Sequence, residues 1–122
     1  SVTSFYYTFN SCSSLESVPQ GLFNDCENLT RIDRCFYNSR KIKTIPVDLF
    51  DNQRKLVEVS YLFGNLSNWT GESPYTVIDG VKVHLYERAN YPDHFVTPTS
   101  TSYCFGGCSS LTDYASIPSG WK

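Results

Sequence analysis

The strongest constraint on the fold of this chain is a spacing of 27 residues between similar side chains. Equivalent residues recur in several columns of this register, among them Phe9, Phe36 and Phe63; Leu15, Ile42 and Trp69; and Pro19 and Pro46. A fixed period of this length is typical of repeat proteins, whose units are too small to bury their own apolar faces and stack on their neighbours. The period therefore predicts a solenoid. Stacked repeats build binding surfaces, and nothing in the period implies a reaction.

Each unit contains short segments that favour strands. Aliphatic and β-branched residues are concentrated in four segments, at 15–18, 29–32, 42–45 and 56–59. Segments of this length are typical of strands rather than helices. Pro19 and Pro46 each follow one of these segments. Because proline donates no ladder hydrogen bond, we expect the strands to end there and a single helical turn to follow.

The third unit is interrupted by an insert. The residue that next matches Phe63 is Phe105, 42 residues on rather than 27. Within 75–86, Asp79-Gly80 lies between alternating apolar residues, which is the strongest short signal for a two-residue β-hairpin turn. The alternation predicts one face toward the core, with Ile78, Val81, Val83 and Leu85, and one toward water, with Tyr75, Val77, Lys82, His84 and Tyr86.

Two stretches resemble a known family. The pattern Phe-x-x-Cys-x-x-Leu-x-x-(Val/Ile)-Pro at 9–19 and the stretch CFGGCSSL at 104–111 are similar to the BspA-like leucine-rich repeats of bacterial cell-surface proteins. The resemblance covers 5–63 and 101–122, and the chain departs from it between 70 and 98. It implies an α/β leucine-rich-repeat solenoid, with short strands alternating with single helical or 3-10 turns, a β-hairpin insertion and a C-terminal cap.

The same resemblance implies a location and a role. It implies an extracellular or cell-surface bacterial protein that takes part in adhesion. A lipid anchor on a segment that precedes Ser1 is one form that this location could take. We expect one domain over 1–122, with 70–98 as the inserted hairpin and loop. Because Ser1 falls in mid-unit, we also expect this domain to be the C-terminal fragment of a longer chain whose open apolar end allows end-to-end self-association.

Composition argues against several partners. The net charge of −2 gives no electrostatic reason to expect nucleic acid, and no apolar run approaches the roughly 18 residues of a membrane span. No cofactor or metal is expected. The five cysteines leave two readings open. Their columns also hold Ser39 and Leu62, which favours buried reduced thiols, whereas a secreted location favours one or more disulfides.

Catalysis has little support in this sequence. His84 and His94 lie ten residues apart with Glu87 and Asp93 between them, but this spacing matches no metal-binding pattern. The simpler interpretation is one histidine on the solvent face of the hairpin and one in a loop. We predict no catalytic residue and no enzyme.

Binding has better candidates. The column two residues before each repeat phenylalanine holds Tyr7, Arg34, Tyr61 and Tyr103, and a second patch on the insert holds Tyr75, His84, Tyr86 and Tyr91. Tyrosine and arginine are typical of recognition surfaces. Stacked rings and cations also stabilise neighbouring segments without any ligand, so that alternative stays open.

Two functions are therefore carried forward. The first is a non-enzymatic, surface-exposed domain that binds a host or cell-surface protein or a glycan. The alternative is a structural C-terminal cap of a longer array, whose ligand site lies upstream.

Overall fold

A computed structural model of the protein describes residues 2–122. Two strands, β1 (Tyr75–Ile78) and β2 (Val81–His84), form an antiparallel sheet, and three short 3-10 helices follow them. These helices are η1 (Leu85–Asn90), η2 (Tyr114–Ser116) and η3 (Ser119–Trp121). Residues 2–122 contain no α-helix, and no helix among them has the length and apolar character needed to cross a membrane.

The prediction of an α/β leucine-rich-repeat solenoid with a C-terminal cap is wrong. The four segments expected to form strands contribute only one residue each to isolated parallel bridges: Ser17 with Thr44, and Ser4, Arg31, Glu58 and Ser100 in succession. At two of the four segments, 29–32 and 56–59, the backbone explains this. Arg34 and Tyr61, each three residues after a bridge, have φ values of 59°, and a residue in the left-handed region turns the chain before a second pair can form. The protein is a small domain with a two-stranded sheet and almost no helix.

A column of phenylalanine rings runs through the core. The ring centroids of Phe9 and Phe36 are 5.5 Å apart, those of Phe36 and Phe63 are 5.9 Å apart, and those of Phe63 and Phe105 are 5.5 Å apart. Trp121 continues the column 6.2 Å beyond Phe105. Stacked and tilted rings at such distances stabilise a core beyond the area that they bury. The 27-residue spacing therefore places equivalent rings next to one another.

Backbone hydrogen bonds join neighbouring segments beside these phenylalanine rings. The amide of Phe9 donates to Cys35 O at 2.7 Å, that of Phe36 to Leu62 O at 3.0 Å, and that of Phe63 to Cys104 O at 2.8 Å. Backbone polar groups beside a buried ring need such partners, because an unpaired buried amide costs free energy.

The cysteines are free thiols, and no disulfide joins any of them within residues 2–122. Cys35, Cys104 and Cys108 are buried, whereas Cys12 and Cys26 are partly exposed. Burial raises the pKa of Cys35 and of Cys108 to about 12. The three buried thiols therefore pack as small apolar side chains.

The insert forms its hairpin at Asp79-Gly80. Both turn residues have positive φ, 50° for Asp79 and 80° for Gly80, as a two-residue hairpin turn requires. In this register Thr76 faces Val83, and both are buried. The expected apolar face is wrong at Val81, which follows the turn and is 50% exposed, although Ile78 opposite it is buried.

Arg88 anchors the insert to the rest of the domain. This side chain in η1 is only 2% exposed, and it donates from Nη1 to Gln53 O at 2.6 Å and from Nη2 to Phe50 O at 3.1 Å. Its guanidinium also lies 4.4 Å from the ring centroid of Phe95. Burial, with a smaller contribution from the charge of Arg54, lowers the pKa of Arg88.

Candidate functional site

Tyr7, Arg34, Tyr61 and Tyr103 form a continuous row, which we call the tyrosine–arginine ladder. The Arg34 guanidinium lies 5.6 Å from the ring centroid of Tyr7 and 4.2 Å from that of Tyr61. The rings of Tyr61 and Tyr103 follow at 5.2 Å. The structure therefore brings together all four residues of the column that the sequence singled out.

The ladder residues share an uncommon backbone conformation. Their φ values are 61°, 59°, 59° and 58° for Tyr7, Arg34, Tyr61 and Tyr103 respectively. Non-glycine residues occupy this left-handed region at a cost, and bulky ones rarely do. The surrounding hydrogen bonds hold them there, since the amides of Tyr7, Arg34 and Tyr61 donate to Asp33 O, Ser60 O and Ser102 O at 3.0–3.1 Å. Such strained positions cluster at ligand-binding sites.

Tyr37 belongs to the same surface, although the sequence pattern did not identify it. Its ring lies 5.7 Å from the Arg34 guanidinium and meets the ring of Tyr61 edge-on at 5.4 Å. Gly64 makes room for it, because a Cβ on Gly64 would lie 2.7 Å from the Tyr37 ring. The sequence contained one signal for this contact, because the position 27 residues after Tyr37 holds a glycine, Gly64, rather than a second bulky side chain.

A pair of amides runs beside the ladder. Asn65 donates from Nδ2 to Asn38 Oδ1 at 2.7 Å, and the Tyr103 hydroxyl donates to Asn65 Oδ1 at 2.6 Å. Asn38 and Asn65 also have positive φ, 62° and 69°. Each carboxamide has four hydrogen-bonding positions, so the pair keeps donors and acceptors for a further partner.

The charges on this side of the molecule are unevenly matched. Arg31 lies 2.7 Å from a carboxylate oxygen of Asp33 and 3.2 Å from one of Glu58. The hydrogen bond to Asp33 raises the pKa of Arg31. Within residues 2–122, the Arg34 side chain makes no hydrogen bond and no ion pair, and only tyrosine rings contact its guanidinium. Among residues 2–122, no carboxylate forms an ion pair with Arg34, and the same holds for the exposed Arg40, which donates to Asn38 Oδ1 at 3.4 Å. Arg34 differs from Arg40 in that tyrosine rings enclose its guanidinium.

The second predicted patch is only partly assembled. Tyr75, His84 and Tyr86 lie together, with the His84 ring 5.5 Å from Tyr75 and 5.2 Å from Tyr86. Tyr91 lies apart from them and packs on a small cluster of Ile78, Val83 and Phe95.

His84 lies between carboxylates. Its Nδ1 is 2.6 Å from Glu87 Oε1, its Nε2 is 2.6 Å from Glu72 Oε2, and Asp113 Oδ2 lies 3.8 Å from Nε2. A neutral imidazole carries one N–H, so only the protonated ring can donate to Glu72 and Glu87 together. Lys82 Nζ also lies 3.1 Å from Glu72 Oε1.

This hairpin cluster is directed inward rather than toward a ligand. Both ring nitrogens of His84 are occupied, and the Tyr86 hydroxyl donates to Asp113 Oδ2 at 3.0 Å. Burial, together with the charge of Asp113, raises the pKa of Tyr86. Across residues 2–122, no three His, Cys, Asp or Glu side chains are grouped so as to hold a metal ion. The cluster joins the hairpin to the residues on either side of it.

His94 and a polar groove lie apart from both surfaces. His94 is exposed and its ring contacts Phe95 at 6.4 Å. An open groove of about 350 Å³ is lined by Glu16, Lys41, Lys43 and Asn68. None of its lining residues belongs to the ladder.

A scan against protein-family models, a search of curated proteins and a search of solved structures found no match for this chain. The resemblance to BspA-like proteins therefore stays a prediction from the sequence.

Proposed function

We propose that this domain is a non-enzymatic binding module whose ligand site is the tyrosine–arginine ladder. The observation that carries the proposal is the unbroken row from Tyr7 through Arg34 and Tyr61 to Tyr103, held at four positions of positive φ. Backbone strain repeated at one column is costly, and a binding role gives it a reason.

The exposure of the ladder supports this role. Tyr7 is 50% exposed, and Arg34, Tyr61 and Tyr103 are each partly exposed. Tyrosine presents a large apolar face and a polar end with only two rotatable bonds, so its contacts cost little side-chain entropy. The row therefore offers a preformed surface that a ligand can bind without reordering the protein.

The geometry favours the ladder over the hairpin patch. The polar atoms of His84 and Tyr86 are already bonded to carboxylates, and the Tyr91 ring is packed against apolar residues. A ligand at that patch would have to break these contacts. At the ladder, Arg34 and the exposed part of Tyr7 contact a ligand without such a loss.

The test is a binding screen of chain 1–122 against immobilised glycans and cell-surface proteins, followed by substitution in the ladder. Tyr7→Asn and Tyr61→Asn together remove two rings, and asparagine tolerates positive φ better than most residues. We expect the double variant to lose at least tenfold in affinity for a ligand found in the screen, since each lost ring removes contact area beside Arg34.

Tyr114→Asn is the matched control, because Tyr114 is also a partly exposed tyrosine but contacts Lys122 rather than the ladder. Urea unfolding of all variants separates loss of binding from loss of structure. Unchanged affinity in the ladder variant, with its fold intact, would show that the row only stabilises the domain.

A further inference from the structure

The charge of Arg34 points to the chemistry of the ligand. Arg31 and Arg34 lie on neighbouring parts of the same segment, yet Arg31 contacts two carboxylates and Arg34 contacts only rings. Asp33 and Glu58 both pair with Arg31, and no carboxylate of the described residues pairs with Arg34. A partly buried guanidinium gains most from a partner that supplies the missing negative charge.

The three rings around Arg34 hold the guanidinium in place. Tyr61 lies nearest, with its centroid 4.2 Å away, while Tyr7 and Tyr37 flank the group at 5.6 and 5.7 Å. Cation–π contact orients the planar group without using its N–H donors. Those donors form a fork that matches the two oxygens of a carboxylate.

The rest of the surface suits a sugar better than a peptide. A peptide that adds a strand needs free backbone groups, but the ladder amides of Tyr7, Arg34 and Tyr61 already donate to the next segment. Peptide side chains that anchor a complex fill pockets, whereas the ladder is a row of rings lying side by side. The face of Tyr61 is covered by the Arg34 guanidinium, so the half-exposed Tyr7 ring is the part of the row on which the C–H face of a sugar ring can pack.

Asn38 and Asn65 provide the remaining contacts. They lie beside the row and are linked to each other and to the Tyr103 hydroxyl. Sugar hydroxyl groups both donate and accept, and carboxamides offer both kinds of partner. Tyrosine rings, paired amides and the unneutralised guanidinium of Arg34 therefore occur on one surface, with Arg40 beside Asn38.

We propose that the ladder binds an acidic glycan, with a uronic acid carboxylate on the Arg34 guanidinium and a sugar ring on the exposed part of Tyr7. This inference rests on the proposed function of the ladder and names its ligand class.

The experiment measures binding of chain 1–122 to oligosaccharides of galacturonate, glucuronate and mannuronate by calorimetry, each beside its methyl ester. Esterification removes the charge and leaves the sugar ring unchanged. We expect the acid to bind at least tenfold more tightly than the ester, and its affinity to fall with added salt. Equal binding of acid and ester would overturn the proposal without any change to the protein.

Variants place the carboxylate at Arg34. Arg34→Gln is expected to lower affinity for the acid at least tenfold and to leave that for the ester unchanged, while Arg34→Lys is expected to fall between because it lacks the fork. Lys41→Gln removes an equal charge outside the ladder and is expected to bind as the unmodified chain does.

Two further probes separate the alternatives. Sulfated dextran carries charge on a different acid, and poly-glutamate carries carboxylates on a peptide. Tighter binding of sulfated dextran than of every uronate would overturn the assignment of a carboxylate to Arg34, and tighter binding of poly-glutamate would overturn the assignment of a glycan. If that binding still depends on Tyr7 and Tyr61, the proposed function stands. Failure of every uronate to bind overturns the inference, and ladder substitutions that affect no ligand at all overturn the proposed function as well.

Discussion

The side chain of Arg88 donates hydrogen bonds to two backbone carbonyls of one turn, as the side chain of Gln53 does to the equivalent carbonyls of the preceding turn. Gln53 donates from Nε2 to the carbonyls of Phe23 and Cys26, at 2.5 and 3.3 Å. Arg88 donates to the carbonyls of Phe50 and Gln53, the equivalent positions 27 residues later. Arg88, in η1 of the insert, thus donates to the later turn as Gln53 donates to the earlier one.

Replacing Arg88 tests this anchoring. Arg88→Met keeps an apolar side chain of similar length but leaves the Gln53 carbonyl without a donor, whereas Phe50 O still accepts from the Gln53 amide at 3.0 Å. One unpaired buried group costs about 1–3 kcal/mol, and removal of a buried charge offsets part of this cost. We expect a net loss of about 1 kcal/mol in the free energy of unfolding, measured by urea denaturation.

Arg40→Met is the control for this substitution, because Arg40 is exposed and its single side-chain hydrogen bond to Asn38 is long, at 3.4 Å. We expect a change within about 0.5 kcal/mol. An Arg88→Met variant as stable as the unmodified protein would show that water satisfies the Gln53 carbonyl.

Gly106 lies against the last ring of the ladder. A Cβ at this position would lie 2.2 Å from the Tyr103 ring, which forces the ring or the backbone to move. We expect Gly106→Ala to cost about 1–3 kcal/mol, as overpacking does, and to break the hydrogen bond from Tyr103 to Asn65. Thermal unfolding and the tyrosine signals in an NMR spectrum report the two effects.

Gly120→Ala is the matched control, since no atom lies within 4 Å of the added Cβ. It is expected to leave the melting temperature nearly unchanged. Equal stability of the two variants would mean that Tyr103 moves aside freely and is not held in the ladder.

Glu72 makes part of the stability depend on pH. Desolvation raises its pKa, but hydrogen bonds from His84 and Lys82 outweigh this effect and hold the pKa below the ordinary value. A carboxyl with a lowered pKa stabilises the fold fully above its unfolded pKa, about 4.3, and the stabilisation is lost as pH falls through the folded value. We expect the stability difference between the unmodified protein and Glu72→Gln to be largest near neutral pH and to shrink in acid.

Urea unfolding at several pH values measures this difference. Glu16→Gln is the comparison, because Glu16 and its partner Lys43 are each 68% exposed and 3.8 Å apart, where an ion pair contributes little. A Glu72→Gln difference that stays constant from neutral pH into acid would contradict the assignment.

The cysteines are expected to react in two classes. Cys35 and Cys108 have pKa values of about 12 and Cys104 is fully buried, so these thiols are protonated and shielded at pH 8. Cys12 and Cys26 are partly exposed. Alkylation of the native protein followed by mass spectrometry should show at most two rapid modifications, and all five after denaturation. Rapid modification of three or more in the native state would contradict the burial described above.

The hairpin shows how far local sequence reasoning reached. Asp79-Gly80 has strong turn chemistry of its own, and the turn forms there with both φ values positive. The same alternation misplaced Val81, because exposure at the end of a hairpin depends on where the core stops. Arg88 was missed entirely, since an arginine in a polar stretch is ordinarily exposed and its partners lie 35 and 38 residues away.

The predicted fold class was wrong because of the backbone conformation after the expected strands. The strand-like segments have the expected composition, but 29–32 and 56–59 are each followed by arginine or tyrosine at positive φ, residue types that carry no preference for that region. The segments 15–18 and 42–45 are each followed by proline. Composition therefore predicted strands where the chain forms single bridges.

By itself, the sequence determined which residues are equivalent. The columns that contain Phe9, Phe36 and Phe63, and Tyr7, Arg34 and Tyr61, can be read from spacing, because equal spacing in the chain becomes adjacency when the segments pair. Only the tertiary structure decided the charge environment of those columns. Arg31 receives both nearby carboxylates and Arg34 receives none, because ion pairing depends on distances across segments, which spacing alone does not contain.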